Sequence, residues 1–268
     1  MEICKIEDCT GCMGCLNICP YGAILEKQNK KGFYVPVIIE EKCVQCGLCQ
    51  RICPVNNYGK IASSVSPEVF ACWNVNETVR QYSSSGGIFT LLAETILEMG
   101  GCVFGVVFDS ETNLVKHQKA KTMEGVRPMV GSKYVQSQVG YTFSQVKKEL
   151  ETGHPVLFSG TPCQCAGLKS FLRYEPQNLY LIDIVCHGVP SAAILKMYLK
   201  DVSQGSRVET INFREKNPSW ERFSMKISFN QQHIYQCDMY SDPYLRLFLE
   251  NYNLNDCCYT CHYANVSR

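Results

Sequence analysis

The sequence predicts a small α+β module followed by a larger α/β domain, in which a mixed sheet with packed helices carries an antiparallel extension. Three observations predict this fold class. Eight of the 18 cysteines lie in two closely spaced runs near the N-terminus. Apolar runs typical of buried strands then alternate with helical patterns up to about residue 200. Three further strand-like runs follow between residues 207 and 237.

The two cysteine runs share one spacing, and the second run is offset from the first by 34 residues. They read Cys9-x2-Cys12-x2-Cys15-x3-Cys19-Pro20 and Cys43-x2-Cys46-x2-Cys49-x3-Cys53-Pro54. Three closely spaced thiolates can bind one side of a [4Fe–4S] cube, and the fourth must come from elsewhere in the chain. We therefore predict that Cys9, Cys12, Cys15 and Cys53 bind one cluster and that Cys43, Cys46, Cys49 and Cys19 bind the second.

This segment resembles a two-cluster bacterial ferredoxin domain. The alternatives are a zinc site or the disulfides of a small secreted fold. Zinc sites usually contain one or two Cys-x2-Cys pairs, whereas this chain has two complete runs of four cysteines followed by proline. The spacing therefore favours iron–sulfur clusters and electron transfer.

Composition excludes several other classes of protein. The formal net charge is +1 and the charges are dispersed, so no nucleic-acid or membrane-surface partner is expected. The N-terminus has no basic segment followed by an apolar stretch, which argues against a signal peptide. The apolar runs are too short for direct insertion into a bilayer. Since cluster thiolates need a reducing compartment, we predict a cytoplasmic location.

Three segments are expected along the chain. Residues 1–57 form the ferredoxin-like module, in which a turn at Lys31 and Gly32 leads into a short strand. Residues 58–68 are polar and read as a linker, and residues 69–268 form the second domain, opening with a strand at 69–73. Helices are predicted at 88–97, 143–150, 164–172, 191–200 and 242–249. Strands are predicted at 102–108, 155–158 and 179–185, with antiparallel strands at 207–213, 223–229 and 232–237.

A second set of cysteines lies in this larger domain. Cys163 and Cys186 each follow a predicted strand, and Cys258-x2-Cys261 supplies two more sulfurs. Loops that leave the same edge of a parallel sheet can bring their first residues together, so these four cysteines can form a third [4Fe–4S] site. The alternative is that they are small buried hydrophobic residues. That alternative accounts well for Cys72, Cys102 and Cys237, which lie within predicted strands.

From about Val69 to Arg268 the sequence resembles the β subunits of hydrogenases and dehydrogenases that use the deazaflavin coenzyme F420. The motifs are Ser85-Gly86-Gly87, Gly131-Ser132-Lys133-Tyr134, Gly160-Thr161-Pro162-Cys163-Gln164, Cys186-His187-Gly188, Phe213-Arg214 and Cys258-x2-Cys261-x2-Ala264-Asn265. The resemblance implies an iron–sulfur flavoprotein that binds FAD, with the third cluster close to the flavin. Cys165 and Cys257 are additional to the family pattern and could be alternative ligands or bystanders. Similar proteins continue beyond Arg268, so we expect this chain to be truncated at its C-terminus.

Flavin contacts are expected in three of these motifs. Ser85, Gly86 and Gly87 precede an apolar helix whose N-terminus could bind the FAD pyrophosphate, although such a sequence could also be a simple helix cap. Lys133, in the turn with Gly131 and Ser132, could pair with a phosphate or with charge on the reduced ring, unless it is merely solvated. Tyr134 could stack on the ring or serve only in packing. The resemblance adds Thr161 and Gln164 to these candidate contacts.

The catalytic residues cannot be named from the sequence beyond two candidates. His187 is a candidate proton donor beside Cys186, and Lys133 is the other candidate; a loop histidine bound to a backbone partner is the alternative for His187. The sequence has no Gly-x-Gly-x-x-Gly after a strand, so a Rossmann nicotinamide site is not supported.

The predicted function is that of an iron–sulfur flavoprotein oxidoreductase. It relays electrons between the clusters and FAD, and reduces or oxidises a small organic substrate or the deazaflavin. The alternative is a non-catalytic electron-transfer subunit of a hydrogenase or dehydrogenase complex. In either case the expected protein partner is ferredoxin or another redox subunit.

Overall fold

The N-terminal module consists of short elements arranged around the cysteine runs. The computed structural model describes residues 2–58, 68–230 and 233–263. The elements of this module are α1 (Gly14–Ile18), β1 (Ile24–Gln28), β2 (Tyr34–Ile38) and α2 (Leu48–Arg51), with 3-10 turns at Ile6–Asp8 and Glu40–Lys42. β1 and β2 pair antiparallel, and the turn between them passes through Gly32, whose φ of +81° favours glycine. The predicted strand after this turn is confirmed.

A mixed sheet of four strands forms the centre of the larger domain. Its strands are β3 (Cys102–Asp109), β4 (Leu114–Ala120), β5 (Val156–Gly160) and β6 (Leu179–Asp183), in the order β4-β3-β5-β6. β3, β5 and β6 run parallel, and β4 pairs antiparallel with β3 at the edge. The mixed sheet was predicted, but β4 was missed because only alternate residues of this polar strand are buried.

Eight helices are described beyond residue 68. They are α3 (Glu77–Tyr82), α4 (Ile88–Glu98), α5 (Met123–Val126), α6 (Thr142–Leu150), α7 (Pro162–Leu172), α8 (Ala192–Ser203), α9 (Pro243–Leu249) and α10 (Asp256–Tyr259). The five predicted helices are confirmed with small shifts at their ends. α7 begins at Pro162, so Cys163 lies in its first turn and not in the preceding loop.

A separate antiparallel sheet forms the predicted extension. It consists of β7 (Val208–Glu215), β8 (Ser224–Phe229) and β9 (Ile234–Asp238), in sequence order. Gln232 of the third predicted strand lies outside the described residues, as do residues 59–67 of the predicted linker.

The predicted strand at 69–73 is wrong. This segment has no strand structure, and the side chains of Val69, Phe70 and Trp73 are 89%, 75% and 65% exposed. An apolar composition forms a strand only where a neighbouring strand can pair with it. Here the backbone turns to the glycine-containing loop instead, and the amide of Asn74 donates to the carbonyl of Gly86 at 2.7 Å.

The two parts of the molecule share one hydrophobic core. Met13, Leu16 and Ile24 of the N-terminal module belong to the same buried cluster as Phe143 and Leu168 of the larger domain. Polar contacts accompany this packing. The side chain of Gln136 accepts from the Tyr34 amide at 2.7 Å and donates to the Tyr34 carbonyl at 3.0 Å. The N-terminal module is therefore packed into the larger domain.

Glycines allow α1 and α7 to approach closely. A Cβ atom added at Gly14 would lie 3.3 Å from the carbonyl oxygen of Gly167. A Cβ atom added at Gly167 would lie 2.8 Å from Sγ of Cys12. Cys12 thus lies directly against α7, in whose first turn Cys163 is found.

Membrane spanning was tested on the helices of the described segments. None of them combines the length and the apolar character that a transmembrane helix requires.

Candidate iron–sulfur centres and ligand cavity

The first predicted cluster set is brought together around a cavity of about 20 Å³. Cys9, Cys12, Cys15 and Cys53 all line this cavity, and all four are buried. Cys53 comes from the second run, so the chain crosses between runs at this point in the way that the spacing predicts. A fifth cysteine, Cys4, lines the same cavity.

The second predicted set lies around another cavity of about 20 Å³. Its cysteines are Cys43, Cys46 and Cys49 of the second run together with Cys19 of the first. The two runs therefore exchange their fourth cysteines in both directions. Cys46 is exposed, which places this set nearer to the surface than the first.

The chemistry of the first set suits a cationic metal cluster. Burial raises the pKa of Cys12 to about 12 and raises the pKa of Cys15 well above its ordinary value. Nearby thiolates raise the pKa of both thiols further, because like charges repel. Iron supplies the positive charge that allows such thiols to be deprotonated. All 18 cysteines are free thiols, so this donor set is not consumed by disulfides.

The third set also converges. Cys163, Cys186, Cys258 and Cys261 line a cavity of about 70 Å³. Cys163 is supplied by α7, Cys186 by the segment after β6, and the last two by α10 and the segment that follows it. The sheet thus brings Cys163 and Cys186 together at the ends of neighbouring parallel strands.

The two additional cysteines lie in different places. Cys257 lines the third cavity, and its hydrogen bond to Cys258 lowers the pKa of the Cys258 thiol to about 7. Cys165 is buried, and its sulfur lies 3.8 Å from the carbonyl oxygen of Ile182 on β6. Of the two, only Cys257 lies at the site.

The first and third sets are neighbours. Burial raises the pKa of Cys163 well above its ordinary value, and the charges of Cys186, Cys12 and Cys258 add to this effect. Tyr263 is buried between the two sets, since thiols of both contribute to raising the pKa of its hydroxyl, after burial itself. The three cysteine sets are therefore arranged as a series, with the first set in the middle.

A larger cavity of about 600 Å³ opens beyond the third set. It lies at the carboxyl ends of β5 and β6, where ligands commonly bind in α/β sheets. All nine predicted flavin contacts line it: Ser85, Gly86, Gly87, Gly131, Ser132, Lys133, Tyr134, Thr161 and Gln164. Cys186 and His187 line both this cavity and the third cysteine cavity. The segment that begins at Cys186 thus forms a thin wall between the two spaces.

The serine-containing loop before α4 is held by contacts from two sides. The amide of Ser132 donates to Oγ of Ser84 at 2.7 Å. From the other side, Nε1 of Trp220 donates to the carbonyl of Ser84 at 3.1 Å, and Nζ of Lys216 reaches the carbonyl of Ser85 at 3.4 Å. The connection between β7 and β8 therefore positions this loop, which the sequence did not indicate.

Two polar atoms at the large cavity are buried without a partner among the described residues. They are Oγ1 of Thr90, in the first turn of α4, and Nε of Arg214 on β7. The N-terminus of α4 also has no side-chain cap, and Gly87 precedes it with a φ of +80°. Free amides at a helix N-terminus, a hydroxyl and a guanidinium together suit a phosphorylated ligand. The residues present therefore fit the pyrophosphate of a dinucleotide such as FAD.

Lys133 and Gln164 have structural partners. Nζ of Lys133 donates to the carbonyls of residues 128–131 at 2.8 to 3.1 Å, while burial lowers its pKa to about 7. Gln164 and Thr161 form a capping box at the start of α7. Lys133 thus fixes its own turn at the cavity wall, and its predicted contact with a phosphate or ring stays a prediction.

An aromatic series runs from His187 along the cavity. The His187 ring meets Phe248 edge-on with centroids 4.8 Å apart, and Phe248 stacks on Tyr134 at 4.6 Å. Arg214 lies over the ring of Phe223 at 4.8 Å and donates to the Tyr134 hydroxyl at 3.4 Å. The sequence singled out Arg214 only as part of a motif, and it gave no signal for Phe248 or Thr90.

Comparison with family models assigns both parts of the chain. Residues 8–57 match the 4Fe-4S dicluster domain, and residues 153–267 match the C-terminal model of the coenzyme F420 hydrogenase/dehydrogenase beta subunit. The chain joins a 4Fe-4S dicluster domain to an F420 hydrogenase/dehydrogenase beta-subunit domain. The resemblance predicted from the sequence is confirmed. The 4Fe-4S dicluster domain contains both cysteine runs, and the beta-subunit domain contains the third cysteine set.

Individual relatives match parts of the chain. One of the F(420)H(2) dehydrogenase subunits of Methanosarcina mazei is 24% identical over 192 residues, which cover 68% of this chain and 53% of that protein. An uncharacterized polyferredoxin-like protein of Methanocaldococcus jannaschii is 39% identical over 69 residues, covering 23% of this chain and 41% of that protein. The chain thus spans about half the length of the curated relatives it matches.

A chain of the F420-reducing [NiFe] hydrogenase complex from Methanosarcina barkeri is a solved structure with a similar arrangement. It shares 16% sequence identity with this chain at a TM-score of 0.45, over 63% of this chain and 60% of that one.

Proposed function

We propose that this chain is an electron-transfer subunit of an oxidoreductase complex of the F420 hydrogenase/dehydrogenase type. The first two cysteine sets would each hold one [4Fe–4S] cluster, and the third would hold another beside the large cavity. The single observation that carries the proposal is the wall that contains Cys186 and His187, which line both the third cysteine cavity and the large cavity. A redox ligand in the large cavity would lie next to the last of three sites in series.

The order of the sites supports a through-protein route. Gly167 lets Cys12 of the first set lie against α7, and Cys163 of the third set lies in the first turn of the same helix. The second set is tied to the first through the exchange of Cys19 and Cys53 between the runs. Electrons that enter at the exposed second set would thus pass inward toward the large cavity.

The large cavity is proposed to hold FAD. Its volume of about 600 Å³ lies within the ordinary range of cofactor sites. The free N-terminus of α4, Thr90 and Arg214 would bind the pyrophosphate. Phe248 covers one neighbour of the cavity, Tyr134, and so limits access of water from that side. When bound, a flavin supplies the exchange between one-electron and two-electron transfer.

A catalytic role is a second candidate. The observation that favours it is the exposed His187 at the cavity wall, because an imidazole can exchange protons near neutral pH. In that case the isolated chain would itself reduce or oxidise a small organic substrate or the deazaflavin. An electron-transfer subunit would require its protein partner for turnover, and ferredoxin or another redox subunit is the proposed partner.

Cofactor analysis of the anaerobically purified chain tests the proposal. We expect about twelve irons and about twelve acid-labile sulfides per chain, as three [4Fe–4S] clusters require. Cys163→Ala should lower the iron content by up to four, while the matched variant Cys102→Ala should not, since Cys102 lies in β3 away from the three cysteine cavities. Full iron content and an unchanged electron paramagnetic resonance (EPR) spectrum in Cys163→Ala would remove that residue from the proposed ligands.

Flavin binding is tested separately. Thr90→Val and Arg214→Leu should each reduce the FAD bound after reconstitution, with the iron content unchanged, because both atoms lie at the large cavity alone. Absence of FAD binding by the chain would overturn the flavin assignment and leave the cluster assignment standing. Assays with deazaflavin, with and without a redox partner protein, distinguish the catalytic candidate from the electron-transfer role.

A further inference from the structure

The first cysteine cavity contains one thiol more than a cluster needs. Cys4 lines it together with Cys9, Cys12, Cys15 and Cys53, although Cys4 belongs to neither run. The second cavity differs, because the cysteines that line it in the described structure are Cys19, Cys43, Cys46 and Cys49 alone. The chain therefore contains two comparable sites, one with a fifth thiol and one with four.

Cys4 is held at the site by the second run. The side chain of Gln50 donates to the carbonyl of Glu2 at 2.6 Å, and the side chain of Asn56 donates to the carbonyl of Ile3 at 2.9 Å. Ile3 is itself buried in the hydrophobic core. These contacts fix the residues on the N-terminal side of Cys4 against the segment that carries Cys53.

The Cys4 thiol contacts two of the proposed ligands directly. It donates hydrogen bonds to the sulfurs of Cys53 and Cys9, and these bonds lower the pKa of both acceptor thiols. A sulfur in hydrogen-bond contact with two ligand sulfurs lies beside the iron corners that those ligands would bind. A small rotation of the Cys4 side chain would then bring its sulfur to a corner that one of them has left.

We propose that Cys4 is a reserve ligand of the first cluster, able to replace Cys53 when that ligand is lost. In the replacement, the Cys4 thiol releases its proton to solvent and its thiolate forms a new Fe–S bond at the vacated iron. No electron is transferred, so no oxidant or reductant is needed. The inference rests on the proposal that the first cysteine set holds a [4Fe–4S] cluster.

Paired substitutions in the full chain test this role. Cys53→Ala removes a ligand from the site with a fifth thiol, and Cys19→Ala removes the equivalent ligand from the site without one. Alanine is used because it has no atom that can bind iron. Cys4→Ala and the double variant Cys4→Ala/Cys53→Ala complete the series. Each protein is reconstituted anaerobically with iron and sulfide, then analysed for iron content and by EPR.

We expect Cys4→Ala to keep the iron content of the wild type. Cys53→Ala should also keep it, with a shifted EPR signal from the first cluster, whereas Cys19→Ala and the double variant should each lose between one and four irons. Equal losses in Cys53→Ala and in the double variant would overturn the inference. If the wild type itself bound no cluster, the proposed function would fail instead, so the two failures are distinguishable.

The signal of the second cluster serves as an internal measure of folding. If Cys53→Ala loses both clusters, Cys9→Ala decides the question, because Cys4 contacts Cys9 as well. Retention of the first cluster in Cys9→Ala, and its loss in Cys4→Ala/Cys9→Ala, would support the reserve role. Loss in both would refute it.

Discussion

Gly167→Ala should disturb the first cluster while leaving the fold in place. The added Cβ would lie 2.8 Å from Sγ of Cys12 and 2.9 Å from its Cβ, about 1 Å inside an ordinary contact. Such overpacking costs about 1–3 kcal/mol. Replacing glycine by alanine within a helix returns about 1 kcal/mol. The net loss of stability is therefore about 0–2 kcal/mol, too small to unfold the chain.

The effect on the cluster should be larger than the effect on stability. A free thiol at Cys12 can rotate away from the new methyl group, but a thiolate bound to iron cannot. Anaerobic reconstitution followed by iron analysis and EPR should show partial or complete loss of the first cluster with the second retained. The control is Lys169→Ala, an exposed position on the same helix. Full cluster occupancy with an unchanged spectrum in Gly167→Ala would refute the close contact between α1 and α7.

Two further predictions concern stability. Asp242→Ala should lower the free energy of unfolding by about 3–5 kcal/mol in denaturant titrations, because the buried carboxylate caps α9 and accepts hydrogen bonds from the hydroxyls of Tyr198 and Tyr235 at 2.7 and 3.0 Å; equal stability of the wild type and this variant would contradict the buried network. Burial lowers the pKa of His117 to about 4, so the unfolded chain, with its ordinary pKa near 6.5, takes up the proton first, and the stability from this residue is present above pH 6.5 and lost as the pH falls toward 4. Between pH 7.5 and 5 this amounts to about 2 kcal/mol, and His117→Phe, which can still stack on Phe158, should show a correspondingly smaller loss; an identical pH dependence in both proteins would show that His117 is not buried in neutral form.

The cysteine sets could be predicted because their chemistry is written in short-range spacing. The exchange of Cys19 and Cys53 follows from the limited reach of three close thiolates, and the structure brings both cysteines to the predicted sites. The convergence of Cys163 and Cys186 follows from the parallel strands that precede them. In each case local sequence and sheet topology were sufficient.

Features that depend on tertiary packing could not be predicted. The apolar segment at 69–73 resembles a strand in composition, yet nothing in its own sequence shows whether a partner strand is present. Thr90 and Arg214 are significant only because their polar atoms are buried at one cavity, which is a property of the folded chain. Gly14 and Gly167 carry no side-chain signal at all, although they bring α1 against α7.

The shared core has a consequence for how fast electrons can move through the molecule. A cluster domain on a flexible tether must diffuse to its acceptor, and its transfer rate then varies with solvent viscosity and tether length. Here Met13 and Leu16 are packed with Leu168 in one core, so the spacing between the first and third sites is set by side-chain packing. The molecule behaves as a wire of fixed length, whose internal transfer is independent of viscosity and whose only encounter step lies outside the chain.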